Sequence, residues 1–345
     1  MRGTLAGRPA HVDLGGVHLR YDALTDTWVV VTPARNTRPG GDVVAAAEES
    51  ACPLCPGGTE LPFAYDAAVF DNRFPAFSPT AAPVLDDRRA APARGRCEMV
   101  VYTSDHEGSL STLTPARVAR VVAIWRDRCA DLWARGHEYV MAFENHGADV
   151  GATLSHPHGQ IYALSFLPPA IVAKLAAIDR HRRERAGCLG CELVAGDADG
   201  DRTVVANNSF TAAVPFAARW PFEVQLRSRR HGCGRLGDLT DAEALGLTRA
   251  IRGVTARYDG LFGRELPYML CIQEAPAGTP DWHLHVELLP PYRDEHRLKV
   301  RASVETALGA FLNDTLPEDS ARLLAAVPVE EGSWDGVIVP RIKPA

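Results

Sequence analysis

Ser155-His156-Pro157-His158-Gly159-Gln160 gathers two imidazoles, a rigid proline, a glycine and a terminal amide within six positions. A neutral imidazole can ligate a metal, accept a proton or attack an electrophile, so two of them separated by one residue point to divided labour. The apolar run Ile161-Tyr162-Ala163-Leu164 that follows reads as a buried strand, which puts the motif at a strand entrance. Extended backbone sends residues two apart to the same face. His156, His158 and Gln160 therefore share one surface, and Gly159 lets a ligand approach the backbone beside them. Taken alone, an H-x-H pair could equally be two hydrogen-bonded strand histidines; the rest of the chain separates the two readings.

Cys52-Pro53-Leu54-Cys55 is a tight knuckle whose spacing brings two thiolates to one tetrahedral cation. With His106 and His156 it makes a two-thiolate, two-imidazole set, which by ligand softness and number is zinc chemistry. An ordered second set, Cys188, Cys191, His231 and His283, repeats the first and predicts a second zinc. The remaining cysteines, Cys97, Cys129, Cys233 and Cys271, follow no pattern and read as small packing residues. With His156 committed to a metal, His158 is held beside it in a nucleophile's position. Histidine attacks phosphorus near neutral pH, and the phosphoramidate it forms is reactive enough to pass the group on. Gln160 has no ionisable proton, but its amide can hydrogen-bond a phosphoryl oxygen, which favours transfer over hydrolysis.

The elements that must hold these groups are legible at coarse grain. Trp28 to Val31, Glu98 to Tyr102 and Tyr139 to Phe143 read as strands, the last delivering a turn at Glu144-Asn145-His146-Gly147, and Val69 to Pro75 runs from strand to turn. Residues 78 to 96, rich in Ala, Pro and Arg and without a period, read as an exposed loop. Thr114-Pro115 opens a helix, and Val118, Val121, Val122, Trp125, Cys129 and Leu132 give it one buried face as far as about Gly136. Leu239-Thr240-Asp241-Ala242-Glu243 opens another with a capping box. Asn208-Ser209-Phe210 answers Asn72-Arg73-Phe74, Glu223 to His231 answers Glu98 to His106, and His283-Leu284-His285 answers His156-Pro157-His158. Ordered correspondence along the chain, broken only in the Pro-rich loop, predicts two copies of one α+β unit, residues 1–175 and 188–345. His285 is followed by Val286-Glu287 in place of Gly-Gln, so no second active site is expected.

Composition narrows the function classes. The 345 residues are 46% hydrophobic and 23% charged, ordinary globular material with enough apolar surface for two cores. A formal net charge of -6, with lysine only at Lys174, Lys299 and Lys343, argues against a nucleic-acid binder. No apolar run approaches a membrane span, and Met1 to Ala10 lacks a secretory h-region, so a cytoplasmic protein is expected, with thiols rather than disulfides.

Cys52-Pro-Leu-Cys55, Asp105-His106, Phe143-Glu144-Asn145, the His156 to Gln160 motif, Trp220-Pro221-Phe222-Glu223 and His283-Leu284-His285 together resemble the galactose-1-phosphate uridylyltransferase family, the transferase branch of the histidine triad superfamily. That resemblance covers nearly the whole chain. It implies tandem histidine-triad-like units, α+β, with an antiparallel or mixed half-barrel sheet and helices packed on it. It also implies that His158 is uridylylated by a UDP-sugar and hands UMP to a sugar 1-phosphate, in a homodimer. By the same resemblance Arg35, Arg38, Asn72 and Arg73 bind the nucleotide, Asn145, Thr153 and Gln160 hold phosphoryl oxygens, and Lys299 and Glu305 fall in the sugar-contacting segment. Lys174, Gln273, His283 and His285 stand where iron-bearing relatives have their four ligands; with two replaced, no iron is expected. The competing readings are a dinucleotide phosphorylase or hydrolase of the same superfamily, or a zinc-stabilised binding protein without turnover.

Overall fold

The computed structural model describes residues 16–33, 35, 52–81, 90–198, 200–329, 336, 337, 339, 340 and 342. Arg38 lies outside them. Strands β1 (His18–Asp22), β2 (Thr27–Val31) and β4 (Ala90–Pro92) form a small antiparallel sheet in the order β2-β1-β4. The large sheet has nine strands. Those of the first half are β3 (Ala68–Asp71), β5 (Gly95–Val101), β6 (Tyr139–His146) and β7 (His158–Leu164). Those of the second are β8 (Thr203–Ala206), β9 (Phe210–Ala213), β10 (Val224–Ser228), β11 (Tyr268–Gln273) and β12 (His285–Leu289).

The order across this sheet is β3-β5-β7-β6-β11-β12-β10-β9-β8, with every neighbouring pair antiparallel. Reading outward from the β6–β11 seam, each half lays down its strands in corresponding order, with one extra strand in the second. The α+β class expected from the sequence is what the chain adopts, the halves being fused into one sheet. At the seam Tyr268 pairs with His146, Met269 with Asn145, Leu270 with Glu144 and Cys271 with Phe143. That pairing explains why β6 runs on to His146, past the turn expected after Phe143. The partner that extends it comes from the other half, and no local signal announces it.

Helices α1 (Pro115–Ala134) and α4 (Asp241–Leu261) pack against each other, and their apolar sides share one core with the sheet. Thr114 caps α1 by accepting from the Arg117 amide at 3.2 Å, with Pro115 in the first turn, as the sequence predicts. Val118, Val122, Trp125 and Leu132 of α1 meet Leu247, Ile251 and Val254 of α4 in that core, all fully buried. The capping box at the start of α4 forms: Thr240 Oγ1 accepts from the Glu243 amide and the Glu243 carboxylate from the Thr240 amide. Arg230 also pairs with Glu243 and, as the largest influence, pulls its carboxyl down to about 2. The described residues form four further helices: α2 (Pro169–Glu184) linking the halves, α3 (Leu189–Asp197), α5 (Ser303–Leu308) and α6 (Pro317–Ala326). Among the described residues no helix is long and apolar enough to cross a membrane.

One expectation fails. Residues 78–96 are not an exposed loop throughout: Ala90–Pro92 is a strand, Ala93 is fully buried, and β5 begins at Gly95. Alanine and glycine carry almost no periodic hydrophobic signal, yet they are the side chains that fit where two sheets come close.

Candidate active site and metal centres

The knuckle at Cys52 and Cys55, the loop after β5 and the entrance to β7 converge at one point. Ligand atoms of Cys52, Cys55, His106 and His156 all lie within 4.8 Å of one another. His156 Nδ1 is 3.8 Å from Cys52 Sγ and 3.6 Å from Cys55 Sγ, and His106 Nδ1 is 3.4 Å from Cys55 Sγ. Tetrahedral zinc, with Zn–S about 2.3 Å and Zn–N about 2.0–2.1 Å, sets adjacent sulfur and nitrogen ligands about 3.6 Å apart. The cluster fits such an ion.

His156 is fully buried, and its Nε2 lies 2.8 Å from the Thr103 carbonyl oxygen, with Tyr65 Oη at 3.2 Å. A proton donated to that carbonyl leaves Nδ1 as the ligand atom. Burial holds the imidazole below the usual histidine range, in the neutral form a metal requires. Burial, with Cys52 beside it, pushes the Cys55 thiol up, a charge conflict that a shared cation resolves.

Two residues on, His158 begins β7 and is itself buried. Its Nδ1 donates to the His156 carbonyl oxygen at 2.8 Å, which puts the ring's lone pair on Nε2. His158 lines a cavity of about 290 Å³ with Asn145, Thr153 and Ser155. A smaller one, about 160 Å³, adjoins it through Thr153 and Leu154 and is walled by Leu54, Phe70, Asn72 and Arg73. The Gln160 carbonyl oxygen accepts from Asn72 Nδ2 at 3.2 Å and from Tyr162 Oη at 3.3 Å, so its amide nitrogen is the end left to meet a ligand. Arg35 closes the chain, donating to Tyr162 Oη at 3.2 Å and to the Phe74 carbonyl.

The second set assembles too: Cys188, Cys191, His231 and His283 present ligand atoms within 4.8 Å of one another. Cys191 Sγ is 3.4 Å from His283 Nε2 and 3.7 Å from His231 Nδ1. His283 Nδ1 donates to the Ser228 carbonyl, so here Nε2 is the ligand atom. Gly190 is obligatory in this knuckle, since a Cβ there would lie 2.3 Å from the His283 ring.

Sequence profiles of this architecture match both halves. The N-terminal domain of galactose-1-phosphate uridyl transferase matches residues 12–168, and the C-terminal domain matches residues 185–333. The chain belongs to the galactose-1-phosphate uridylyltransferase family. A galactose-1-phosphate uridylyltransferase of Thermotoga maritima is 40% identical over 323 residues, 91% of this chain and 99% of its own length. A solved uridylyltransferase structure superposes with a TM-score of 0.81 at 31% identity, covering 90% of this chain and 98% of that one. An ADP-glucose phosphorylase of Arabidopsis thaliana, 24% identical over 90% of this chain and 99% of its own, shares the fold with a TM-score of 0.70.

Within this uridylyltransferase-family chain, the residues singled out from the sequence divide into two places. Arg35, Asn72, Arg73, Asn145, Thr153, His158 and Gln160 lie in or against the paired cavities of the first half. Lys299 and Glu305 do not. Both are buried and face each other at 2.8 Å, and Lys299 also donates to the Leu312 carbonyl, so the pair staples its own loop. The second half's histidine is also spoken for. His285 Nδ1 donates to the His283 carbonyl at 2.8 Å, as His158 does to His156, but its Nε2 lies 2.9 Å from Lys174 Nζ. Lys174 in turn pairs with Glu287 at 2.6 Å. Burial first, and then the neighbouring Lys174 ammonium, hold the His285 imidazole well below its usual range, so it accepts from the lysine.

Three contributors were not anticipated. In the sequence Tyr162 reads only as part of an apolar run, although its place two residues after Gln160 puts it on the same face. Tyr65 sits far from the histidines in sequence. Glu144 reads in the sequence as a turn residue. It is buried in the wall of the His158 cavity, accepts from Tyr102 Oη at 3.1 Å and Tyr268 Oη at 3.4 Å, and burial pushes its carboxyl up to about 7. Tyr102 also explains Gly159: a Cβ there would lie 2.2 Å from the phenol oxygen and 2.9 Å from the Phe143 carbonyl. Gly159→Ala should therefore destabilise the fold by about 1–3 kcal/mol and shift His158 as well. Denaturation midpoints and transfer rates measured side by side check both effects.

Proposed function

We propose that this chain moves UMP from a UDP-hexose to a hexose 1-phosphate, of the UDP-glucose and galactose 1-phosphate type, through a covalent uridylyl group on His158. The observation that carries the reading is the 2.8 Å bond from His158 Nδ1 to the His156 carbonyl. It holds the proton on one nitrogen and the lone pair on the other. Nε2 attacks the α-phosphorus, the bond from that phosphorus to the bridging oxygen breaks, and hexose 1-phosphate leaves with the electron pair. The carbonyl of His156 stabilises the positive ring of the adduct. A phosphate oxygen of the second sugar then attacks the same phosphorus, and the imidazole departs with its lone pair restored, which gives ping-pong kinetics. Asn145, Thr153 and the Gln160 amide are suited to hold the phosphoryl oxygens, and Arg35, Arg38, Asn72 and Arg73 the nucleotide. Membership of the family supports these assignments, and a homodimer with them.

Both Cys₂His₂ clusters suit zinc, which when bound supplies a closed, structural cross-link between elements distant in sequence. Cys52, Cys55, His106 and His156 would hold one ion and Cys188, Cys191, His231 and His283 the other. Iron is not part of the proposal, because Lys174 and Gln273 occupy two ligand positions of the iron-bearing relatives. Purified protein should carry close to two zinc per chain, and a Cys188→Ser/Cys191→Ser variant one. Elemental analysis of the pair checks the count.

The reading is tested by exchange. UDP-glucose mixed with labelled glucose 1-phosphate should scramble the label without net hydrolysis, whereas a phosphorylase would require free phosphate and a hydrolase would accumulate UMP. Gln160→His puts a protonatable ring where an amide only stabilises charge, and should slow transfer while raising hydrolysis. Unchanged partitioning between water and sugar phosphate would count against this role for the amide.

A further inference from the structure

His158, Gln160 and Tyr162 alternate along β7 and so stand in a row on one face of the strand, with the amide of Gln160 between the imidazole and the phenol. An amide serves a phosphoryl group only one way round. Its nitrogen end donates to a phosphoryl oxygen, whereas its oxygen end repels it. The two ends are nearly alike in shape, so hydrogen bonding and not packing must decide which of them is free to meet a ligand.

Two lines of hydrogen bonds make that decision, and both start at groups that can only donate. The backbone N–H of Phe74 donates to Asn72 Oδ1 at 2.8 Å. That turns Asn72 Nδ2 toward Gln160, where it donates to Oε1 at 3.2 Å. From the other side the Arg35 guanidinium donates to Tyr162 Oη at 3.2 Å. With its oxygen accepting from a cation, the phenol directs its own proton to Gln160 Oε1 at 3.3 Å. Arg35 also donates to the Phe74 carbonyl oxygen at 3.1 Å, so the two lines close into a ring through the peptide groups of one residue. Reversing the Gln160 amide would set its nitrogen against two donors and lose both bonds. The Tyr162 ring is itself fixed edge-on, with the Phe143 ring centre at 4.9 Å and that of Phe77 at 6.1 Å.

We infer that Tyr162 is a positioning residue for nucleotidyl transfer: with Arg35 behind it, its hydroxyl holds the Gln160 amide with the nitrogen free for the phosphoryl group that passes through His158. For the reaction this rests on the uridylyl-transfer reading above; for the geometry it rests on the hydrogen-bond ring alone. Tyr162 acts through Gln160, so its effect should vanish when the amide does.

A double-mutant cycle tests this, read as the single-turnover rate at which metal-loaded protein takes label from UDP-glucose labelled at the α-phosphorus. Tyr162→Phe keeps the packed ring, removes the hydroxyl, and should slow labelling about tenfold. Gln160→Ala should slow it at least as much, and adding Tyr162→Phe to Gln160→Ala should change the rate by less than about twofold. A phenol that merely supported the fold would cost the same factor in both backgrounds. The bond itself is read without substrate, by NMR of the two Gln160 Nε2 protons in protein labelled with ¹⁵N at glutamine, assigned by their loss in Gln160→Ala. Hydrogen bonds to an amide oxygen strengthen the partial double bond to nitrogen, so the two protons should trade places faster in Tyr162→Phe than in wild type. Unchanged labelling by Tyr162→Phe, equal losses in the two backgrounds, or an unchanged proton exchange rate each overturns the inference. If wild type took no label, the uridylyl-transfer reading would fall while proton exchange still decided the bond, so the two ideas fail separately.

Discussion

His158→Ala should reduce uridylyl transfer by at least about 10⁴-fold while leaving fold and metal content intact. The size of the effect follows from covalent catalysis: without the imidazole no intermediate forms, and direct attack of one sugar phosphate on the other's nucleotide must proceed in a site shaped for two separate displacements. The intact fold follows from the structure, because His158 contributes no atom to the Cys₂His₂ cluster, and its Nδ1 bonds the His156 carbonyl two residues away in the same strand entrance. Incubation with UDP-glucose labelled at the α-phosphorus should leave label on wild-type protein and none on the variant. Label retained on the alanine variant would move the nucleophile elsewhere. Loss of zinc along with activity would mean that the two histidines share a role the proposal divides between them.

His156→Ala should do the reverse: release metal first and lose activity as a consequence. Apparent binding free energies of structural zinc sites run about 10–16 kcal/mol, similar to the whole stability of many domains, about 5–15 kcal/mol. Removing one of four ligands from a fully buried position leaves Cys52, Cys55 and His106 around a cavity, with the Thr103 carbonyl short of its donor. A loss of about 3 kcal/mol or more would lower the melting temperature by roughly 6–12 °C. Chelator treatment of wild type should reproduce the shift, and adding zinc back should restore wild type but not the variant. Equal zinc content in the two proteins would sink the assignment of His156 as a ligand.

The metal clusters were legible in the sequence because ligand chemistry is local in type and repeated in order: C-x-x-C, then two histidines, twice over. The helices were legible because Thr114, Pro115, Thr240 and Glu243 are capping residues with a mechanism, followed by apolar residues at helical spacing. Less accessible was anything decided by partners far along the chain. The full length of β6 depends on β11, the burial of Ala93 on a second sheet, and the environment of Glu144 on phenols at Tyr102 and Tyr268 from opposite halves. The contact between Lys299 and Glu305 is of the same kind, since no spacing rule announces that these two charged heads meet.

The β6–β11 seam bears on how such a chain could be cut or shortened. Its four rungs are the only strand pairing that crosses between the halves among the described residues. A fragment ending after α2 would expose β6 as a naked edge, with the donors and acceptors from Phe143 to His146 unmet and Tyr268 gone from beside Glu144. That edge is a template for another β6, so isolated first halves should pair edge to edge through the surface that now holds the second half. With these rungs shared, neither half can be removed without leaving the other's edge adhesive. The second half, its histidine capped by Lys174, thereby serves the first as the cover of a strand edge.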